Sequence, residues 1–113
     1  MAPEQFERSE PRHSTINLVT IQLLDENGVA VDSAVGRTLD LSHHGMLLEL
    51  DHGLPTERVA NLSFALGDVL VDVDAEIRSA KELDANKYAM GLKFINLSAE
   101  ASAAIQAYLD RRA

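Results

Sequence analysis

Val69-Leu70-Val71-Asp72-Val73-Asp74-Ala75-Glu76-Ile77-Arg78 is the stretch that decides the fold. Val69, Val71, Val73, Ala75 and Ile77 fall on one parity and Asp72, Asp74, Glu76 and Arg78 on the other. A period of two is that of a strand with one face on a core and one in water. The same rhythm recurs on both sides. Upstream, Leu62, Phe64 and Leu66 alternate with Asn61, Ser63 and Ala65, and Met46, Leu48 and Leu50 form a shorter run. Downstream, Tyr88, Met90, Leu92 and Phe94 complete the series.

Further upstream, Val29, Val31, Val35, Leu39 and Leu41 hold the odd positions of a strand, opposite Asp32, Thr38, Asp40 and Ser42. This predicts an odd core-facing side, with Asp40 and Ser42 projecting away from it. Before it, the segment from Ile16 to Leu24 is β-branched, but its parity shifts from Ile16 and Leu18 to Val19, Ile21 and Leu23, which predicts a strand with a bulge. Asp25-Glu26-Asn27-Gly28 joins the two. Its Asn-Gly pair predicts a hairpin turn with two residues at positive φ. After Asn96 the chain turns alanine-rich: Ser98 is placed to cap a helix, Glu100 and the Arg111-Arg112 pair suit its dipole, and Ala101, Ile105, Tyr108 and Leu109 form its apolar stripe.

Six short strands with tight turns, followed by one helix, predict a mainly β domain: a six-stranded antiparallel β-barrel with a C-terminal α-helix. Residues 1–15 are polar, contain two of the three prolines and lack periodicity, so they read as a flexible N-terminal arm. The expected organisation is arm 1–15, barrel 16–97 and helix 98–113, one domain in all, as 113 residues suggest.

Composition narrows the function. A formal charge of −8 opposes binding to a nucleic-acid backbone, so neither DNA nor RNA is an expected partner. No apolar run reaches about 18 residues and the N-terminus is charged, so membrane insertion is not expected and a cytoplasmic location is. The absence of cysteine removes thiolate chemistry. His43 and His44 are neighbours, but adjacent strand residues face opposite ways and no second ligand cluster accompanies them, so no metal or cofactor is expected. No nucleophile stands at a defined spacing from a base, and an enzyme is not expected.

Two segments carry candidate binding chemistry. Arg8-Ser9-Glu10-Pro11-Arg12 places two guanidiniums on the arm, and such forks match phosphate oxygens and the O6/N7 edge of guanine. Read alone, they are equally surface charges beside Glu7 and Glu10. Asp40-Leu41-Ser42-His43-His44-Gly45 sets a carboxylate and a hydroxyl on one strand face, with glycine three residues after the serine. Carboxylate accepts from the guanine N1–H and N2–H, and glycine permits close backbone approach. The alternative is an ordinary turn in which Asp40 and Ser42 bond local backbone and Gly45 takes positive φ. Arg78, on the polar face of its strand, is a further candidate contact beside Glu76.

Taken together, Arg8-x-x-x-Arg12 followed about thirty residues later by Asp40-x-Ser42-x-x-Gly45 resembles the motif pair of the PilZ domain family. Pro11, the apolar run Met46 to Leu48, and Gly91-Leu92-Lys93-Phe94-Ile95-Asn96-Leu97-Ser98 ahead of a helix extend the likeness from Arg8 to about Leu109. The resemblance implies a PilZ-like barrel that binds the bacterial second messenger cyclic di-GMP. It implies that Arg8 and Arg12 clamp the ligand while Asp40, Ser42 and Gly45 form its floor, and that the signal passes to an effector protein. Many family members carry another arginine directly before the first motif arginine; Glu7 stands there in this chain and favours one bound ligand over an intercalated pair. The alternative in the same family is an interaction module that binds no nucleotide.

Overall fold

The computed structural model describes residues 18–84 and 86–112. Six strands and one helix follow in order: β1 Leu18–Leu24, β2 Ala30–Leu41, β3 Gly45–Leu50, β4 Val59–Leu66, β5 Val69–Asp84, β6 Lys87–Ile95 and α1 Ala99–Arg112. All pairings are antiparallel and close into a barrel in the order β1-β2-β3-β6-β5-β4. Fold class and helix are those the alternation predicts.

The barrel is filled from the predicted parities. Val19, Ile21 and Leu23 of β1 point inward with Met46, Leu48 and Leu50 of β3, Leu62 and Phe64 of β4, Val71, Val73, Ala75 and Ile77 of β5 and Met90 of β6. Helix α1 packs against β4 and β5 through Ala101, Ile105 and Tyr108. Ser98 caps it, its Oγ accepting from the Ala101 amide at 3.0 Å. None of the described helices is long and apolar enough to cross a membrane.

Four expectations need correction. Val29, just ahead of β2, and the odd residues Val31 and Val35 within it lie at the surface, while Gly36 is buried and Ala34 packs on the core. The reason is a bulge. The register passes from Thr38↔Leu48 to Asp40↔Leu47, leaving Leu39 as an extra residue, and one extra residue moves every following side chain to the opposite face. Even residues therefore face inward before Leu39, and Leu41 does after it.

The bulge predicted in β1 is not found among its described residues, since Leu18 to Leu23 pair in continuous register with Arg37 to Asp32; the register shift comes between Leu23 and Leu24, where the extra residue is Val31 of β2, and Ile16 is outside the described residues. At the first hairpin, only Gly28 has positive φ, at 80°. The Gly28 amide donates to the Asp25 carbonyl at 3.0 Å and the Asp25 amide to the Val29 carbonyl at 2.8 Å. This is a type I turn closed by a glycine bulge rather than a two-residue turn, and Asp25 Oδ1 braces it by accepting from the Asn27 amide at 2.8 Å.

Finally, β5 does not stop at Arg78 but runs on to Asp84, pairing with β6 alone beyond Ile77. Its register steps from Ile77↔Leu92 to Ser79↔Gly91, so Arg78 is itself a bulged residue.

Candidate functional site

An open groove of about 400 Å³ runs across the outer surface of β3 and β6 between the end of β2 and the bulge of β5 at Arg78. Asp40, Ser42, His44, Gly45 and Leu47 line it from one side, Gly91, Lys93 and Arg78 from the other. Its size falls within the range of small-molecule sites. Both walls depend on bulges: the one at Leu39 turns Asp40 outward, and the one at Arg78 sets that guanidinium over the groove. Bulges commonly re-aim side chains beside binding sites.

The turn between β2 and β3 is bonded tightly to itself. The Ser42 amide donates to the Gly45 carbonyl at 2.9 Å. Ser42 Oγ accepts from the His44 and Gly45 amides, each at 3.2 Å, and lies 3.3 Å from the Gly45 carbonyl. Asp40 Oδ1 accepts from the Leu41 amide at 3.0 Å, while Oδ2 has no donor among the described residues.

Gly45 serves close approach, not positive φ. The described glycines with positive φ are Gly28 and Gly67. A Cβ at Gly45 would stand 2.1 Å from the Leu92 carbonyl oxygen, inside any tolerable contact. Only glycine lets β3 begin here, opposite Lys93. Gly91, across the groove, is less constrained: a Cβ there would meet Ser79 Oγ at 2.5 Å, a side-chain atom that rotation about χ1 can move away.

Electrostatically the groove combines two exposed cations with one carboxylate. Arg78 holds Glu76 at 3.2 Å with its side chain still 58% exposed, so a stronger anionic partner can recruit it. Lys93 adds a second positive group. A ligand with anionic oxygens and a donor edge suits this set: cations for the oxygens, Asp40 Oδ2 for the donors. The turn is also tied to α1, because His43 Nε2 and Gln106 Oε1 are hydrogen-bonded and Gln106 Nε2 donates to Asp110 Oδ1 at 2.8 Å. Among the described residues no group of three or more His, Cys, Asp or Glu is placed to hold a metal ion.

Of the residues singled out in the sequence, Asp40, Ser42, Gly45 and Arg78 share this groove, whereas Arg8 and Arg12 lie outside the described residues. Lys93, His44 and Gly91 line it as well, although none of the three was expected among the ligand-binding residues. Lys93 becomes visible only once β6 is registered against Gly45.

Fold and groove are those of a small closed β-barrel with an open groove on its outer surface. The chain belongs to the PilZ domain family, which its sequence matches over residues 6–111; PilZ domains are cyclic di-GMP receptors rather than enzymes. Among solved structures it is similar to the Bacillus subtilis Inhibitor of motility (MotI/DgrA), with a TM-score of 0.64 at 17% sequence identity. The match covers 99% of this chain and 56% of that one, so the chain spans little more than half its length. At this identity the likeness is one of fold. No curated protein matches the sequence.

Proposed function

We propose that this chain is a receptor for cyclic di-GMP that acts on an effector protein in the cytoplasm and catalyses no reaction. The observation that carries the proposal is the convergence of Asp40, Gly45, Arg78 and Lys93 on one open groove. In this reading Asp40 Oδ2 accepts from a guanine edge, Ser42 holds the turn that presents it, and Arg8 and Arg12 close over the phosphates from the N-terminal side.

The register of β1 supports that closure. Leu18 enters β1 opposite Arg37, and β2 runs on from there to Asp40. Arg12 stands six residues before Leu18, and an extended chain of that length reaches about 20 Å. Charge-assisted hydrogen bonds contribute about 1.5 to 3 kcal/mol each, so a few of them, with base stacking, suffice for the roughly −8 kcal/mol of a micromolar complex after the arm is ordered. Glu7, in place of a further arginine, favours one ligand per chain.

A second reading is an interaction module without a nucleotide. The self-contained bonding of Ser42 favours it, because serine and glycine there satisfy the turn without any ligand. Fluorescence titration with labelled cyclic di-GMP separates the two. Arg12→Ala and Asp40→Ala each abolish binding under the receptor reading, with circular dichroism unchanged; wild-type affinity in both variants removes the site assignment.

A further inference from the structure

The outer surface that floors the groove continues beyond it. On β3, Gly45, Leu47 and Glu49 share the outer face, because Met46, Leu48 and Leu50 between them are buried. On β6, Lys93, Gly91 and Ala89 share it for the same reason. Leu47 stands opposite Gly91 and Glu49 opposite Ala89. The surface therefore runs on from the groove over two small residues of β6, by about 7 Å for the two residues from Leu47 to Glu49. Three cations flank this extension. Arg37 of β2 pairs with Glu49, Lys81 of β5 pairs with Ala89, and Lys87 stands two residues before Ala89. Arg37, Glu49 and Lys87 border a notch of about 200 Å³ there.

We infer that this extension is the second half of the nucleotide site, where Arg37, Lys81 and Lys87 hold the distal phosphate and base of the ligand whose first half lies in the groove. The inference rests on the receptor reading above. A cyclic dinucleotide carries two phosphates and two purines, and a groove of about 400 Å³ lies low in the range of sites for drug-sized molecules, so part of such a ligand extends past it. Charge points the same way. The chain has a net charge of −8 and ten Lys and Arg residues, yet half of these, Arg37, Arg78, Lys81, Lys87 and Lys93, share this one face. Asp51 and Asp84 stand at its far end, where they repel an anion and leave the groove as the side of approach.

Glu49 occupies the place of the anion in the unliganded chain. Its Oε1 accepts from Arg37 Nε at 3.2 Å and Nη2 at 3.0 Å, and its Oε2 meets Lys87 Nζ at 3.1 Å. One carboxylate between two cations leaves a positive charge over. The side chains of Arg37 and Lys87 are 59% and 54% exposed, so both can turn from Glu49 to phosphate oxygens, and Lys81 is exposed on the same row. Glu49 is thus a competitor of the ligand, and removing the carboxylate has the opposite effect to removing the cations. The outer face of β4 and the first half of β5 gives the contrast: Ser63 and Asn61 stand opposite Asp72 and Asp74, and residues 59–77 contain no Lys or Arg.

The test is titration of the full chain with cyclic di-GMP at about 50 mM and about 200 mM salt, with circular dichroism to check the fold of each variant. Lys81→Gln combined with Lys87→Gln is expected to weaken binding about tenfold and to lessen its dependence on salt. Glu49→Gln frees Arg37 and Lys87 from their carboxylate and is expected to tighten binding about threefold, the scale of an exposed ion pair. Asp68→Asn, the same charge change just before the other end of β5, leaves affinity unchanged. A wild-type chain that binds, with a double variant that keeps its affinity and salt dependence, overturns the inference and leaves the receptor reading standing. Weaker binding by Glu49→Gln, or equal tightening by Asp68→Asn, also overturns it, since the cluster then acts through the fold or through net charge. A wild-type chain that does not bind removes the receptor reading itself, and this inference with it.

Discussion

Asp40, Gly45 and Arg78 show how differently three residues of one groove are constrained. Gly45 is a structural requirement: Gly45→Ala drives a methyl group into the Leu92 carbonyl and is expected to cost about 2 kcal/mol or more, visible as a lower Tm in thermal unfolding. Arg78 is the reverse case, an exposed side chain held only by Glu76. Arg78→Ala should leave Tm unchanged and weaken cyclic di-GMP binding about tenfold or more in a titration, the share of one charge-assisted bond; unchanged affinity would place Arg78 outside the site. Asp40, Ser42 and Gly45 were legible as a spacing, because sequence alone reveals a carboxylate, a hydroxyl and a glycine on one turn. What spacing does not reveal is why the glycine is there. The turn reading assigned it positive φ, and the actual reason, a carbonyl on a strand nearly fifty residues away, exists only after β3 and β6 pair.

At the scale of elements, alternation exposed β3, β4 and β6 because their parity never breaks. It misjudged β2, where Val29, Val31 and Val35 alternate as a buried strand does yet face solvent, since a bulge at Leu39 inverts the parity partway along. A bulge leaves no mark when apolar residues stand on both sides of it. The extension of β5 to Asp84 was hidden for a related reason: it is exposed on both faces and has no pattern to read. One ion-pair cluster ties these elements together. Glu49 of β3, with its side chain only 12% exposed, meets Lys87 of β6 at 3.1 Å and Arg37 of β2 at 3.0 Å. The hydrogen bond from Lys87, then that from Arg37, holds its carboxyl below the usual glutamate range. The folded state thus binds this proton less readily than the unfolded chain, and the resulting stabilisation is complete above the ordinary pKa of about 4.3 and lost as pH falls through the lower folded value. Glu49→Gln should flatten that acid limb in urea unfolding followed from pH 6 to pH 3; an unchanged pH dependence would show that the cluster contributes nothing. At the helix, Ser98→Ala removes the cap bond to Ala101 and is expected to lower stability by about 1 kcal/mol in the same assay.

The whole molecule joins a closed barrel and an open groove to an N-terminal sequence that carries two further cations, Arg8 and Arg12. The barrel supplies rigidity, since a groove set by two bulges keeps its shape only if the strands beneath it are fixed. The link from His43 through Gln106 to Asp110 places helix α1 next to the same turn, so a ligand in the groove and a partner on the helix would meet adjacent surfaces. The net charge of −8 makes selectivity a stringent demand: an anion binds only where cations converge, and among the described residues the groove brings together Arg78 and Lys93. The most direct measurement is isothermal titration of the full chain with cyclic di-GMP, with GTP and cyclic di-AMP as controls. The account predicts a saturable signal in the low micromolar range or tighter, selective for cyclic di-GMP, with about one ligand per chain. No heat with cyclic di-GMP at high concentration, or equal heat with all three nucleotides, would contradict it.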